Sequence, residues 1–399
     1  MQLTTLRQAA LVALSVGATA VAAVAQDAAG GQDMAERVSL AQSWLDGALD
    51  SYGDHEISYD GDPIELRYTS HLPEMSFAAK SSVKALEVLE KMSGGKIEVS
   101  TRFNGVVHGV AEGFEATRSG ITDIALCFTD LEASSFPLTG ALTLPGLFAN
   151  ESVQAIVAEN LAQKYFREEF ERQGVYILGM MMSSPGNIYS NVPITSLEEL
   201  EGKKIRTTSG IDRDIYNALG ATTVTMSSGD FYSAMQRGLV DGTNVSNSAA
   251  RIFRVNEVAK HITATPIQSG PIEWCMNQQA YDDLPADLQK VVYDWGRQMT
   301  IAMTQIVFTL DSAKAVQQFR EEGLEYHELS AEEWSRWQDG WEPVIDAYIA
   351  DGEAKGLPMQ ALVDEIKVLA DQYGDMSLNE IMQDALDNPA QGVAPLASN

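Results

Sequence analysis

The segment 196–247 constrains the fold of this chain more than any other. It holds three short stretches rich in β-branched residues, separated by two stretches with the length and periodicity of helices. Ser196 and Glu199 form a capping box that begins a short helix before the first strand. Strands alternating with helices over short connections indicate a parallel sheet. The predicted strands are 203–207, 222–226 and 239–245, with helices at 211–219 and 230–237.

Polar side chains follow or end the predicted strands of this unit, where parallel sheets collect ligands. They are Arg206, Asn244 and Asn247. An arginine at this place offers a fixed fork of donors that matches a carboxylate in a bidentate pair. The alternative is a surface arginine paired with Glu198 or Asp212, because surface ion pairs are common and contribute little energy.

Three motifs in this chain resemble the solute-binding proteins of tripartite ATP-independent periplasmic (TRAP) transporters, the DctP-like family. They are SGITDIAL, LEELEGKKIRTTSG and ALGATTVTMSSGDFYSAMQRGLVDG, in this order. The resemblance extends over residues 64–373. It implies that Arg206, within the GKKIR motif, holds the carboxylate of the substrate.

The resemblance implies an α/β fold of two lobes, each a mostly parallel sheet flanked by helices. Crossing strands and one long helix join the lobes. We expect lobe 1 to comprise residues 63–184 and 272–312, and lobe 2 to comprise residues 185–271 and 313–387. The ligand is then expected between the lobes, which close by a hinge.

The N-terminal 25 residues have the pattern of a signal peptide. Arg7 precedes an apolar run too short for a comfortable membrane span, and Ala23-Val24-Ala25 matches an A-x-A cleavage site. The alternative is a retained membrane anchor. Cleavage near Ala25 predicts a periplasmic location.

Two further segments lie outside the resemblance. Residues 26–62 form an acidic extension, interpreted either as a flexible arm or as a helix over 34–49 packed on the first lobe. Residues 388–399 contain Pro389, Gly392 and Pro395 and are predicted to be a loose tail.

The formal net charge of −29 excludes two classes of partner. So acidic a chain repels the phosphate backbone of nucleic acids and the surface of anionic membranes. An anionic small molecule remains compatible, since one buried arginine can dominate the local potential.

Export permits a disulfide between the two cysteines, Cys127 and Cys275. Both lie in predicted strands, and cysteine is also an ordinary buried apolar residue. Because two strands meet the spacing of a disulfide only occasionally, we expect two buried thiols.

The family resemblance places further candidate ligand contacts outside the central unit. His71 and Glu74 lie in the first strand-to-helix connection, with ordinary loop polarity as the alternative. Phe128 ends a predicted buried strand and is either a cavity wall or a core aromatic. Trp274 is interpreted either as closing over the ligand or as core packing.

Asn187 occupies a position where many family members carry a second arginine. This departure argues against a doubly charged ligand or a sugar acid held by two arginines. Asn187 and Tyr189 are candidates for hydrogen bonds to a hydroxyl or carbonyl oxygen, and Tyr189 also for an apolar wall.

No signature of catalysis, of dinucleotide or phosphate binding or of a metal site occurs, and the five histidines are scattered along the sequence. We therefore expect a binding protein, with no cofactor and no metal ligand assigned, while binding of a metal ion beside the ligand stays open. The resemblance implies that the protein delivers a small carboxylate to small and large integral membrane subunits, for uptake driven by an ion gradient. Hydroxy or keto acids, aromatic acids, sugar acids and zwitterions all remain possible ligands. A secreted enzyme acting on a small carboxylate and a ligand-sensing protein are the alternatives.

Overall fold

The computed structural model describes residues 31–53, 55–207, 210–267 and 270–388. The predicted signal peptide (residues 1–25) and residues 389–399 of the predicted tail lie outside this part of the chain. The strands are β1 (Ile64–Thr69), β2 (Ile97–Arg102), β3 (Ile124–Cys127), β4 (Val175–Met182), β5 (Gly186–Ser190), β6 (Lys204–Thr207), β7 (Thr222–Thr225), β8 (Gly242–Val245), β9 (His261–Ile267), β10 (Pro271–Asn277) and β11 (Glu325–Glu328).

The strands form two sheets. The first has the order β2-β1-β3-β10-β4, and the second has the order β11-β9-β5-β8-β6-β7. Each sheet is parallel except for one reversed strand, β10 in the first sheet and β5 in the second. The predicted fold class, two lobes with mostly parallel sheets, is confirmed.

The two reversed strands are also the places where the chain passes between the sheets. Strand β4 in the first sheet is followed by β5 in the second after residues 183–185, and β9 in the second sheet is followed by β10 in the first. Each passage is only three residues long, 183–185 and 268–270, and the described residues of the two passages include no helix. The predicted lobe boundaries near residues 184 and 271 remain a prediction that agrees with these passages.

Helices cover the sheets. They are α1 (Gly31–Arg37), α2 (Ser39–Leu45), α3 (Phe77–Met92), α4 (Gly113–Arg118), α5 (Glu151–Leu161), α6 (Arg167–Arg172), α7 (Leu197–Leu200), α8 (Ile211–Ala218), α9 (Phe231–Gln236), α10 (Asn247–Ile252), α11 (Gln278–Asp282), α12 (Ala286–Met303), α13 (Asp311–Glu321), α14 (Ala331–Ala354), α15 (Met359–Gly374) and α16 (Leu378–Asp387).

One long helical stretch runs along both lobes, as predicted. A π-helical segment, Thr304–Leu310, joins α12 to α13 without a break. Helix α12 packs on β4 so closely that a Cβ on Gly296 would lie 2.0 Å from the carbonyl oxygen of Leu178. Helix α13 continues to the second lobe, where Phe319 meets the ring of Tyr189 edge-on.

The described residues of the acidic extension form two short helices rather than one. Helix α2 packs on α3 and α12 of the first lobe, as the second interpretation predicts, whereas α1 contacts the π-helical segment and α13. Trp44 on α2 is fully buried, and its Nε1 donates a hydrogen bond of 2.8 Å to Oε1 of Gln298 on α12. The helix ends before the predicted residue 49 because Gly47 adopts a left-handed conformation, with φ of 66°.

Cys127 and Cys275 form a disulfide, so the prediction of two thiols is wrong, although both residues are fully buried as expected. Strands β3 and β10 are antiparallel neighbours, and Cys275 lies opposite Ala125. Cys127 therefore lies two residues further along the same face, and the two Cα atoms are 6.0 Å apart. The sequence did not show that these strands, 148 residues apart, are adjacent.

Candidate functional site

A cavity of about 160 Å³ lies between the two sheets. It is comparable in size to a cavity of about 150 Å³ that holds benzene, which sets the scale of the ligand. The walls come from the end of β3, the start of β10, the ends of β6 and β8, and the helices that follow them. The wall includes four aromatic and four polar side chains, Phe128, Phe136, Phe231 and Tyr348 and Asp130, Arg206, Asp212 and Asn244.

Arg206 is the basic residue of this cavity among the described residues that line it. It lies on β6, in register with Val224 of β7 on one side and Thr243 of β8 on the other. The side chain is almost fully buried, at 3% exposure. Nε and Nη2 donate to the carbonyl oxygen of Met226 at 3.0 and 2.7 Å, and the guanidinium carbon lies 4.1 Å from the ring centre of Phe231. The guanidinium is therefore fixed in orientation.

The cavity combines this cation with two carboxylates. Burial lowers the pKa of Arg206 to about 10, and the charges of Asp130 and Asp212 oppose that shift. Arg206 therefore stays protonated at neutral pH. Asp212 accepts a hydrogen bond of 3.0 Å from Nδ2 of Asn244.

Asn244 presents an amide to the cavity. It is 7% exposed, and among the described residues its buried Oδ1 has no hydrogen-bond partner. A Cβ on Gly186 would lie 2.1 Å from this oxygen, so the neighbouring strand β5 must carry glycine here. The amide therefore meets the wall residue Asp212 through Nδ2, whereas its Oδ1 lies against β5.

Three other predicted site residues form a polar cluster and do not line the cavity. Nδ2 of Asn187 and the hydroxyl of Tyr189 both donate to Oδ1 of Asn247, at 2.7 Å each. Asn187 also accepts a bond of 3.3 Å from the backbone N–H of Thr265. All three are buried: Asn187 and Tyr189 lie on β5, the strand next to Asn244, and Asn247 begins α10, three residues after Asn244.

The structure places Trp274, His71 and Glu74 away from the cavity wall. Trp274 is fully buried in the core, stacked on Tyr68 at 4.8 Å between ring centres. His71 packs edge-on against Phe128, which itself lines the cavity, and burial lowers the pKa of His71 to about 4, so it is neutral. Glu74 is exposed, and its backbone N–H bonds to Asn104. Of the predicted set, the cavity wall thus contains Phe128, Arg206 and Asn244.

Sequence reasoning missed several wall residues. Asp130 was passed over, although it follows Phe128 at the carboxyl end of a strand, which is the same signal that singled out Arg206. Asp212 was considered only as an ion-pair partner of Arg206. Tyr348 comes from helix α14, and no local pattern connects it with a cavity between sheets.

Glu273 is a fully buried carboxyl group behind the wall. It lies on β10 and accepts a hydrogen bond of 2.6 Å from Oγ1 of Thr129, a residue of the cavity wall that follows β3. Burial, with a further contribution from the charge of Asp130, raises the pKa of Glu273 to about 8. The group is therefore largely protonated and neutral at pH 7.

We expect Glu273→Gln to remove a pH dependence of stability. The pKa is raised above its unfolded value near 4.5, so the folded state binds the extra proton between pH 4.5 and about 8. Stability of the wild type therefore falls as pH rises through this window. The free energy of unfolding of the variant minus that of the wild type should therefore be larger at pH 8.5 than at pH 5, by at least about 1 kcal/mol. Urea unfolding at pH 5 and at pH 8.5 measures this change. A stability difference between variant and wild type that is the same at both pH values would contradict the raised pKa of Glu273.

Comparisons with known proteins agree with this architecture. A family model described as "Bacterial extracellular solute-binding protein, family 7" (DctP) matches residues 70–351. The C4-dicarboxylate-binding periplasmic protein DctP of Rhodobacter capsulatus is 27% identical over 292 residues, which are 71% of this chain and 86% of that protein.

Solved structures show the same fold. A TRAP periplasmic solute-binding protein from Desulfovibrio salexigens has 25% identity and a TM-score of 0.68 over 79% of this chain and 98% of that one. A TRAP solute-binding protein from Rhodoferax ferrireducens, solved with copurified benzoate, has 19% identity and a TM-score of 0.73 over 78% of this chain and 98% of that one.

These relatives are described as binding proteins rather than enzymes, which decides against the enzyme alternative. Within the described ranges, none of the helices has both the length and the apolar character needed to cross a membrane. Because the family model covers more than half of the 399 residues, the chain belongs to the DctP family, bacterial extracellular solute-binding protein family 7, and is a periplasmic solute-binding protein of the TRAP type.

Proposed function

We propose that the mature chain, after removal of residues 1–25, captures a small organic carboxylate in the cavity between its lobes. It delivers this ligand to the integral membrane subunits of a TRAP transporter, and an ion gradient drives the uptake. The buried guanidinium of Arg206 at the cavity wall is the observation that carries the proposal.

The geometry of Arg206 supports the role of a carboxylate ligand. The two hydrogen bonds to Met226 use the N–H of Nε and one N–H of Nη2. The opposite edge, formed by Nη1 and Nη2, has two parallel donors and matches a carboxylate in a bidentate pair. Because Met226 and Phe231 already fix the group, little side-chain entropy is lost when the ligand binds.

The walls of the cavity favour a monocarboxylate over a dicarboxylate. Arg206 is accompanied by Asp130 and Asp212, and a second ligand carboxylate would face their negative charge. Like charges brought together in this way cost several kcal/mol. The relative from Rhodobacter capsulatus is named for C4-dicarboxylates, so we expect this chain to differ from it.

The body of the ligand is expected to be compact and apolar, with a hydrogen-bond donor. Phe128, Phe136, Phe231 and Tyr348 supply aromatic walls. The carboxylates of Asp130 and Asp212 at the wall are acceptors suited to a hydroxyl or ammonium group of the ligand. A hydroxylated aromatic acid fits these demands, and the Rhodoferax ferrireducens structure holds the related acid benzoate.

The remaining predicted site residues do not contact the ligand in this proposal, and some of them support residues that do. The cluster of Asn187, Tyr189 and Asn247 holds β5 beside Asn244, and His71 packs behind Phe128. We do not include Trp274 and Glu74 among the ligand contacts, since the first packs in the core and the second is exposed. We expect the hinge for closure of the lobes at the described passage from β4 to β5, residues 183–185.

A thermal-shift screen of ligand-free mature protein tests the proposal. The panel contains benzoate, 3-hydroxybenzoate, aliphatic hydroxy acids, uronates, succinate and malate, with benzamide as an uncharged control of the same shape. A ligand that binds the folded state raises the unfolding midpoint by mass action. We expect the largest shift with a hydroxylated aromatic monocarboxylate and none with benzamide. A larger shift with succinate or malate would refute the ligand class, and no shift with any carboxylate would refute the carboxylate site.

A further inference from the structure

Two histidines and a glutamate converge at one edge of the second sheet. Strand β11 is the edge strand and pairs in parallel with β9, with Glu325 in register with His261. Side chains alternate along a strand, so Glu325 and His327 share one face of β11. His261 and His327 are 66 residues apart, so the folded chain brings together two histidines that look scattered in the sequence.

The three side chains each direct one atom to a common point. Nδ1 of His261 lies 3.1 Å from Nε2 of His327 and 3.5 Å from Oε2 of Glu325. Nε2 of His327 and Oε2 of Glu325 are 3.9 Å apart. In a tetrahedral zinc site with bonds near 2.0–2.1 Å, neighbouring ligand atoms are about 3.3 Å apart. The observed triangle is close to this without any movement of the backbone.

The three side chains are also of the types that bind zinc in proteins. Two imidazole nitrogens and one carboxylate oxygen form a common protein ligand set for zinc, which leaves a fourth position for water. The carboxylate side chain of Glu325 is 68% exposed, whereas those of His261 and His327 are 12% and 22% exposed. An ion can therefore enter from solvent, while the partly buried imidazoles are held in place.

A direct hydrogen bond between the two imidazoles is the metal-free alternative. It accounts for the distance of 3.1 Å between the histidines. It does not involve Glu325, one oxygen of which lies within 4 Å of the same two nitrogen atoms, and an ion pair with one protonated imidazole would account for only part of this arrangement. Convergence of one atom from each of three residues is the arrangement that a metal ion requires.

We infer that His261, Glu325 and His327 form a binding site for a divalent transition-metal ion, with zinc the best match. This His-Glu-His site is separate from the proposed carboxylate cavity, since none of its residues lines that cavity. The ion would cross-link β9, which precedes a passage between the sheets, to the four-residue edge strand β11. It would thereby fix the connection between α13 and α14.

Zinc binding by the full mature chain, first treated with chelator, tests the site. Titration calorimetry with zinc chloride, supported by elemental analysis after dialysis, should give one ion per chain. His327→Ala and Glu325→Gln should each weaken binding at least about 100-fold, because loss of a direct ligand exceeds the 10–100-fold effect of a supporting residue. Magnesium should not bind, since it prefers oxygen ligands in an octahedral arrangement.

Glu328→Gln is the matched control, because it makes the same change on the opposite face of β11 and should leave zinc affinity unchanged. Glu325 is largely exposed, so Glu325→Gln is expected to fold, and unfolding curves in chelator verify this for every variant. No stoichiometric binding by the wild type would overturn the proposal. So would binding that survives both His327→Ala and Glu325→Gln, since the ion would then lie elsewhere.

Discussion

Arg206→Ala is expected to weaken binding of the carboxylate ligand by about 2–5 kcal/mol, a loss of at least about 20-fold in affinity. The ligand carboxylate would enter a buried cavity that still contains Asp130 and Asp212 but no longer contains the cation. Its desolvation would then have no compensating ion pair. Calorimetry with the acid identified by the thermal-shift screen measures the change.

Two further variants separate the proposed role from a general effect of charge. Arg206→Lys should also lose much of the affinity, because an ammonium group cannot form two parallel hydrogen bonds to a carboxylate. Arg213→Ala is the control, since this arginine is half-exposed on α8 and paired with Asp214. Near-native affinity in Arg206→Ala or Arg206→Lys, or an equal loss in Arg213→Ala, would contradict the role of Arg206.

The second large effect is expected from a buried ion pair in the first lobe. Arg297 on α12 pairs with Glu159 on α5, and both are almost fully buried. Burial lowers the pKa of Arg297 to about 9, so it remains charged at neutral pH. Arg297→Met should lower the free energy of unfolding by about 3–5 kcal/mol, because Glu159 is left buried without its counter-ion. Urea denaturation measures this loss.

The double variant Glu159→Gln/Arg297→Met tests the cause. With both charges removed, most of the lost stability should return, since neutral groups of similar volume often replace a buried pair without net cost. Arg172→Met is the control, because its partner Glu168 is exposed and such surface pairs contribute about 0–1 kcal/mol. A double variant as unstable as Arg297→Met would show that packing, rather than charge, causes the loss.

Local sequence patterns predicted the two cavity residues that belong to one continuous unit of strands and helices. Arg206 and Asn244 lie at the ends of β6 and β8, within one continuous unit of alternating strands and helices. In such a unit, the ends of neighbouring parallel strands must meet at one edge of the sheet. The strand pattern alone was therefore enough to bring these two residues together.

Features that depend on contacts distant in sequence could not be predicted in this way. Phe128 and Asp130 follow a strand that the sequence predicts, but only the way in which the first sheet faces the second brings them to Arg206. Tyr348 comes from a helix near the end of the chain. The disulfide and the His-Glu-His site each depend on which strands are neighbours. Side chains of a strand alternate between its two faces, but this pattern did not show whether the face of Trp274 meets the cavity or the core. The structure places Trp274 in the core.

The disulfide between Cys127 and Cys275 makes much of the second lobe part of a covalent ring. Strands β4 to β9 all lie between these two cysteines, so within the part of the chain that the structure describes β11 is the only strand of the second sheet outside the ring. A single proteolytic nick anywhere within the ring leaves two fragments that stay joined until the disulfide is reduced. If new chain ends are introduced within the ring, the disulfide likewise keeps the two parts of the molecule covalently joined.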